Sequence, residues 1–376
     1  MSSQEWIDAR TACALLGVKS QTLYAYVSRK QIRAQADTID ARRSLYAKTD
    51  VENMVRQRAR PRARAEVARA AVRWGDPILA TSISEIRDGM LWYRGQTIET
   101  CAASFSFEET VALLCGVDNI ECPFVPATLA GNTALGRTMH GLATKSEDAA
   151  NLSAQSPEQI SKEGGELISL AANALLDCAL DGPIHQRVCT AWDLDPSHED
   201  MIQRILIIMS DHELNPSTFA VRVCASTGAS LPAALLAGLT TLSGPRHGGV
   251  SDLANRALAA ALEGRFPHFQ RANSNLAPYG YGFGHPLYPK GDPRAHYLLQ
   301  RLPKDAPEAR AVSDISTHLG IAPNVDAALA AVSAHFRYPP ETGKILFALG
   351  RLSGWIAHAI EQSQSNEVIR PRARFT

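Results

Sequence analysis

The stretch Gly280–Ala295, GYGFGHPLYPKGDPRA, gathers three alternating glycines, a histidine and an arginine within sixteen residues. Gly280, Gly282 and Gly284 suit neither a helix nor a strand interior, and they let backbone come close to a ligand. His285 follows at once, which puts an acid–base group at the edge of that loop. Arg294, nine residues on, can offer a planar fork to a carboxylate. The same composition also fits a solvated surface loop, and the segment alone does not separate the two. It has company, however. His212 stands in DHELNPST, His247 in SGPRHGG, Asp326 in PNVD, Arg351 in RLSGW and Arg370 in IRPRAR. Asp326 would also make a good helix N-cap before AALAAV. Gly248 and Gly249, after His247, allow close approach or a helix start with free amides. His212 and His247 could equally be loop histidines beside helix ends, and each arginine an ordinary surface charge.

In chain order these six motifs resemble the motif series of the citrate synthase family, from about Pro77 to the C-terminus. Tyr93–Leu114, YRGQTIETCAASFSFEETVALL, also resembles the opening segment of those enzymes. The resemblance implies condensation of acetyl-CoA with oxaloacetate to citrate and CoA through an enol, with acetyl-CoA as substrate and no metal or redox cofactor. On that likeness Asp326 would take the methyl proton, His247 would hydrogen-bond the acetyl carbonyl, and His285 would donate to the keto oxygen. His212, Arg294 and Arg351 would hold oxaloacetate, and Arg370 would reach the site across a homodimer interface. The loop Leu276–Gly284, LAPYGYGFG, resembles the family's adenine-binding loop, so Leu276, Ala277, Tyr279, Gly280 and Gly282, with Lys290, are the implied CoA contacts. The family's basic residue four after the second histidine is Pro289 here, and Pro286 stands where bacterial relatives often carry arginine. A 2-methylcitrate synthase using propionyl-CoA is the close alternative. A DNA-binding metabolite sensor, its body binding oxaloacetate or acyl-CoA and its head reading an operator, is the alternative from another class; a gel shift that disappears at modest salt, with no turnover, would support it.

Around these residues the composition is that of an ordinary soluble globular chain: 376 residues, 38 basic and 38 acidic side chains, 45% hydrophobic. No run of about 18 apolar residues predicts a membrane span, and the start MSSQEWIDAR does not read as a signal peptide. Seven scattered cysteines without a CxxC pair fit a reduced cytoplasm. The zero net charge hides a split. Through Arg73 there are fifteen Lys or Arg against seven Asp or Glu, so a basic head (+8) precedes an acidic body.

Helical spacing predicts helices over IDARTACALL and, capped by Ser20, over SQTLYAYVSRK, with Gly17 ending the first. A small hairpin over Ile32–Tyr46 with its tip at Asp37–Arg43, and a third helix from Thr49 or Asp50, complete a pattern similar to the winged helix-turn-helix of the excisionase and MerR type. That likeness implies nucleic-acid contacts by Gln21, Thr22, Tyr24, Arg29 and Lys30 on the second helix, and by Arg42 and Arg43 in the wing. A docking module that has lost DNA binding is the alternative. Arg56–Arg73, rich in Arg and Ala and broken by Pro61, reads as a linker or the start of a connecting helix. In the body, TSISEIR and MLWYRG around Asp-Gly predict a β-hairpin. Almost everything after it carries helical periodicity, whereas Gly116–Ala154 predicts no element. The expected organisation is a winged helix-turn-helix-like domain at 1–55, a linker at 56–76, and a mostly α body at 77–376 whose smaller domain spans about 265–350.

Overall fold

The computed structural model describes residues 6–28, 31–37, 40, 43–52, 54, 79–126, 130–365 and 367–371. The chain divides into two compact units, Met1–Ala80 and Thr81–Thr376. The expected linker at 56–76, and Arg29, Lys30 and Arg42, lie outside the described residues.

In the first unit, strand β1 (Trp6–Asp8) leads into helices α1 (Ala9–Leu16) and α2 (Ser20–Ser28), then β2 (Ala34–Ala36) and β3 (Ser44–Ala47). The three strands form an antiparallel sheet in the order β1-β3-β2. The helix expected from Ile7 therefore begins two residues later. Ile7 pairs with Tyr46, and the Asp8 carboxylate accepts the Thr11 N–H at 2.7 Å as the helix cap. Gly17 ends α1 with φ +63°, a left-handed turn that glycine adopts without a Cβ clash. Ser20 is the first helical residue of α2 rather than its cap. The small core is Ala12, Leu16, Leu23, Ile32, Tyr46 and Val51. Residues 48–52 are helical, and Asp50 is held by the Arg33 fork at 2.8 Å on both nitrogens. Gln21, Tyr24 and Arg43 are exposed and Thr22 half-buried.

The second unit begins with the predicted hairpin, β4 (Ser84–Arg87) and β5 (Met90–Tyr93), extended by β6 (Gln96–Thr97). Its turn residues Asp88 and Gly89 both have positive φ, +55° and +78°, which matches the twist of paired strands. Helices follow: α3 (Ile98–Ser104), α4 (Phe107–Cys115), α5 (Ala134–Asp148), α6 (Pro157–Leu176), α7 (Ile184–Ala191), α8 (Glu199–Met209), α9 (Pro216–Ser226), α10 (Leu231–Leu242), α11 (Val250–Leu262), α12 (Phe266–Ala272), α13 (Pro293–Leu299), α14 (Pro307–Leu319), α15 (Val325–His335) and α16 (Thr342–Gln364). Helix α5 lies in a stretch that predicted nothing. Its buried face is Ala134, Thr138, Gly141 and Leu142, small residues whose apolar signal is weak although their spacing is helical. Among the described residues no helix is long and apolar enough to cross a membrane.

Helix α16 is the axis of the body. It is buried nearly all round, and α4, α6, α8, α9 and α10 pack against it. Each of Leu352, Trp355, Ile356 and Ile360 leaves water almost completely, worth about 1.5–3 kcal/mol apiece. Gly350 and Gly354 let α16 touch backbone: a Cβ on Gly350 would meet Leu206 O at 2.7 Å, and one on Gly354 would collide with Ser210 O. A second group, α11, α13, α14 and α15, packs among itself. The chemistry-bearing side chains come from both groups.

Candidate active site

His212 sits in the loop between α8 and α9, buried, with Nε2 at 2.9 Å from the Tyr288 hydroxyl. Its ring meets His285 edge-on at 5.0 Å. Burial, reinforced by Arg294, His285 and Arg351, holds its pKa well below the usual histidine value.

His285 is delivered by the glycine loop. Gly282 and Gly284 have φ of +101° and +83°, and a Cβ on Gly282 would meet Ala327 N at 2.9 Å. The loop can therefore lie directly on the first turn of α15. Asn324 N–H donates to Gly282 O at 2.9 Å, Gly284 N–H to Ala322 O at 2.7 Å, and Asn324 Nδ2 to Gly284 O at 3.1 Å. This stitching binds the GYGFGH loop to the PNVD turn. The Leu287 N–H donates to His285 Nδ1 at 3.2 Å, which places the proton of the neutral ring on Nε2. Burial, then Arg294, lowers its pKa to about 4.

The helix-cap reading of Asp326 gives way to a neighbour. Asn324 is the cap of α15, its Oδ1 accepting the Asp326 N–H at 3.0 Å. The Asp326 carboxylate is thereby released to the site, where Oδ1 accepts from Ser251 Oγ at 3.2 Å. Loss of solvent raises its pKa to about 6, outweighing Arg294 and Ser251, which pull it down.

His247 lies in the turn between α10 and α11. Its Nε2 is 2.9 Å from Ser217 Oγ, and Ser217 also donates to Asn215 Oδ1 at 2.7 Å. The single hydroxyl proton thus helps decide which imidazole nitrogen is protonated. Phe347 packs edge-on against the ring at 5.8 Å. Burial, then Arg351, lowers the pKa to about 4. The glycines after it answer to packing: a Cβ on Gly248 would meet Leu242 O at 2.6 Å, and one on Gly249 would meet Pro245 at 2.7 Å.

The two expected clamps differ. Arg294, 3% exposed, gives Nε to Asp292 Oδ1 at 3.0 Å and Nη2 to Asp292 Oδ2 at 2.8 Å. Burial works to lower the arginine's pKa, but Asp292 together with Tyr288 and Tyr93 outweighs it and the net shift is upward. Of its three nitrogens only Nη1 is left over, so the free fork read from the sequence is largely taken. Arg351, 1% exposed, gives Nε to Met209 O at 2.9 Å, while its buried Nη1 and Nη2 have no hydrogen-bond partner among the described residues. Burial lowers its pKa to about 10. Arg370 is exposed on the extended tail, which is tied to α9 by the Ile369 N–H on Ser226 Oγ at 3.1 Å.

Of the implied CoA contacts, Tyr279 stacks edge-on at 5.7 Å from His285, Gly282 is buried in the loop, Leu276 and Gly280 are half-buried, and Ala277 and Lys290 are exposed. A cavity of about 270 Å³ opens beside the loop, lined by Gly284, His285, Tyr288, Pro289, Gly320, Ile321 and Ala322. Sequence reasoning missed Tyr288, Asp292, Ser217 and Ser251. Tyr288 and Asp292 lie inside the histidine-to-arginine motif and Ser217 inside DHELNPST, which was the available signal. Ser251 had none. Among the described residues no cluster of histidine, cysteine and carboxylate could hold a metal ion.

A family model for the citrate synthase C-terminal domain matches residues 129–372, which contain every site residue above. Citrate synthase 2 of Bacillus subtilis is 35% identical over 193 residues, 48% of this chain and 52% of that one. Citrate synthase of Haloferax volcanii is 34% identical over 183 residues, 46% of this chain and 48% of that one. The chain spans about half the length of the curated relatives it matches. In fold it is similar to citrate synthase from Thermotoga maritima (TM-score 0.62, 24% identity, 80% of this chain and 94% of that one). It is equally similar to the Thermoplasma acidophilum enzyme, solved as a ternary complex with carboxymethyl coenzyme A and oxaloacetate (TM-score 0.64, 23% identity, 80% and 94%). With the family model covering well over half the chain, and His212, His285, Arg294, Arg351 and Asp326 set close to one another, the chain belongs to the citrate synthase family.

Proposed function

We propose that this chain condenses acetyl-CoA with oxaloacetate to give citrate and CoA. The observation that carries the reading is Arg351, a buried guanidinium whose two terminal nitrogens lack hydrogen-bond partners among the described residues. An unpaired buried cation is costly, and a carboxylate arriving with its own charge removes that cost. Around it stand histidines kept neutral by burial and one carboxyl kept basic enough to accept a proton near neutrality.

In this reading Arg351 and Arg294 Nη1 bind the oxaloacetate carboxylates, with His212 on the same substrate. Asp326 removes a proton from the acetyl methyl group while His247 donates Nδ1–H to the thioester carbonyl, giving the enol. This requires the Ser217 proton to turn from Asn215 to His247 Nε2, which leaves the ring hydrogen on Nδ1. The enol carbon attacks the keto carbon, and His285 Nε2–H donates to the keto oxygen as it gains charge. Water then cleaves the thioester to citrate and CoA. This chemistry calls for no metal or redox cofactor. The loop from Leu276 to Gly282, with Lys290, is the proposed CoA contact. Propionyl-CoA would add one methyl, a difference of only about 1–3 kcal/mol in an apolar pocket. The working form we propose is a cytoplasmic homodimer in which Arg370 serves the partner's site, with residues of about 265–350 as the smaller domain.

The test is release of free thiol from acetyl-CoA, then from propionyl-CoA, with oxaloacetate present and Asp326→Ala as control. Turnover lost in the variant supports the synthase, and the faster thioester names the acyl group. A folded protein that binds oxaloacetate but turns over neither thioester would overturn it.

A second reading concerns the first unit. Two short helices about a left-handed glycine, a hairpin, and a net +8 through Arg73 favour a winged helix-turn-helix that binds duplex DNA. Exposed Gln21, Tyr24 and Arg43, together with Thr22, Arg29, Lys30 and Arg42, would make the contacts. A mobility shift that weakens steeply with salt would support it; no shift at low salt would end it.

A further inference from the structure

We propose that the Ser84 hydroxyl is a positioning group for His212, clasping the residues on either side of it; the proposal rests on the substrate-binding role read for His212.

Ser84 belongs to no chemistry-bearing motif and lies 127 residues before the loop it touches. It is 5% exposed. Its Oγ donates to Asp211 Oδ2 and accepts the Glu213 N–H at 3.1 Å. A hydroxyl has one proton and two lone pairs, so both bonds form at once. The same hairpin adds more. The Glu213 carboxylate accepts the Ile86 N–H at 2.9 Å, and the Tyr93 hydroxyl accepts the Asp211 N–H at 3.1 Å.

The loop needs holding. Glu213 has φ +48°, a left-handed conformation that is unfavourable for a residue with a Cβ. Its release would turn the peptide after His212 and swing the imidazole away from Tyr288 and His285. On the opposite side, the Gly354 N–H donates to Ser210 O at 3.0 Å and His358 Nε2 stands 3.4 Å from the Asp211 carboxylate. The loop is thus gripped between the hairpin and α16, and among the described residues Ser84 is the one side chain hydrogen-bonded to both neighbours of His212.

The experiment uses the full chain with Ser84→Ala and Ser84→Thr. The two readouts are the ¹⁵N–¹H signal of the His212 ring and the separate KM values for oxaloacetate and acetyl-CoA. In Ser84→Ala the His212 signal should shift or broaden, and the oxaloacetate KM should rise about tenfold with the acetyl-CoA KM unchanged. Ser84→Thr, which keeps the hydroxyl, should restore both to within about twofold. An unchanged ring signal and KM in a folded Ser84→Ala protein would overturn the proposal, as would a fall in kcat alone that Thr fails to rescue. If wild-type protein shows no turnover, the functional reading fails by itself, while the ring signal still decides the role of Ser84. Should Ser84→Ala not fold, Tyr93→Phe removes another of the hairpin's bonds and should shift the same signal; no shift there would count against the clasp.

Discussion

Arg294 and Arg351 are both buried arginines of one site, yet they are built in opposite ways. The Asp292–Arg294 turn carries its own counter-ion two residues away, so its charge is neutralised before any ligand arrives. The middle of α16 presents Arg351 with only a backbone carbonyl on Nε. The first is a structural ion pair that can spare one nitrogen. The second keeps two terminal nitrogens without a hydrogen-bond partner among the described residues, which is what suits it to the carboxylate proposed above. A single motif likeness cannot tell these apart, because both are arginines at motif positions.

Breaking the filled pair should have the largest effect. Asp292→Asn leaves Arg294 buried without its counter-charge and keeps only one of the two oxygens that now accept from Arg294 and from the Val325 N–H. A loss of about 3–5 kcal/mol is expected in denaturant unfolding. An unchanged midpoint would show that Arg294 finds water or another partner. Breaking the empty clamp should act on binding instead. Arg351→Met is expected to weaken oxaloacetate about 100-fold, near the worth of two charge-assisted hydrogen bonds, with stability kept or raised. Calorimetric titration and a melting curve on the same sample check both halves.

Asp326 sharpens the contrast through pH. Its carboxyl is raised to about 6 by burial, so the folded state holds its proton more tightly than the unfolded chain, and stability declines as pH rises from about 4 through 6. Asp326→Asn should therefore stabilise the protein at pH 7 by up to about 3 kcal/mol, with the gain vanishing below about pH 4. Turnover should fall below about pH 6 as the base protonates, while His247 and His285, lowered to about 4, stay neutral through that fall. A rate profile governed by a group near 4 would refute the assignment of Asp326 as base. The smallest effect is expected at Ser217→Ala, which frees the His247 ring from its hydroxyl partner and should lower kcat about tenfold with little change in KM.

Much of this was legible beforehand because it depends on neighbours in the chain. The Asp88-Gly89 turn, the Gly17 helix end, and the periodicity of α6, α8 and α16 all follow from local torsions and spacing. The motif series identified the family for the same reason: its residues lie in short, ordered runs. The weak spots were places where the local signal was faint or contested. Helix α5 buries small residues, Trp6–Asp8 joined a sheet whose partner strand lies far along the chain, and Asn324 displaced Asp326 as cap.

From the sequence by itself come the helical body, the hairpin, the charged head and the types of the reacting groups, since propensity, period and composition are properties of short windows. Only the tertiary structure decided that Asp292 occupies Arg294, that Arg351 stays open, that Asp326 is stripped of solvent, and that Ser84 reaches the His212 loop. Those outcomes depend on which groups meet across the fold and on how much water the packing leaves between them, and neither quantity is written in any local run of residues.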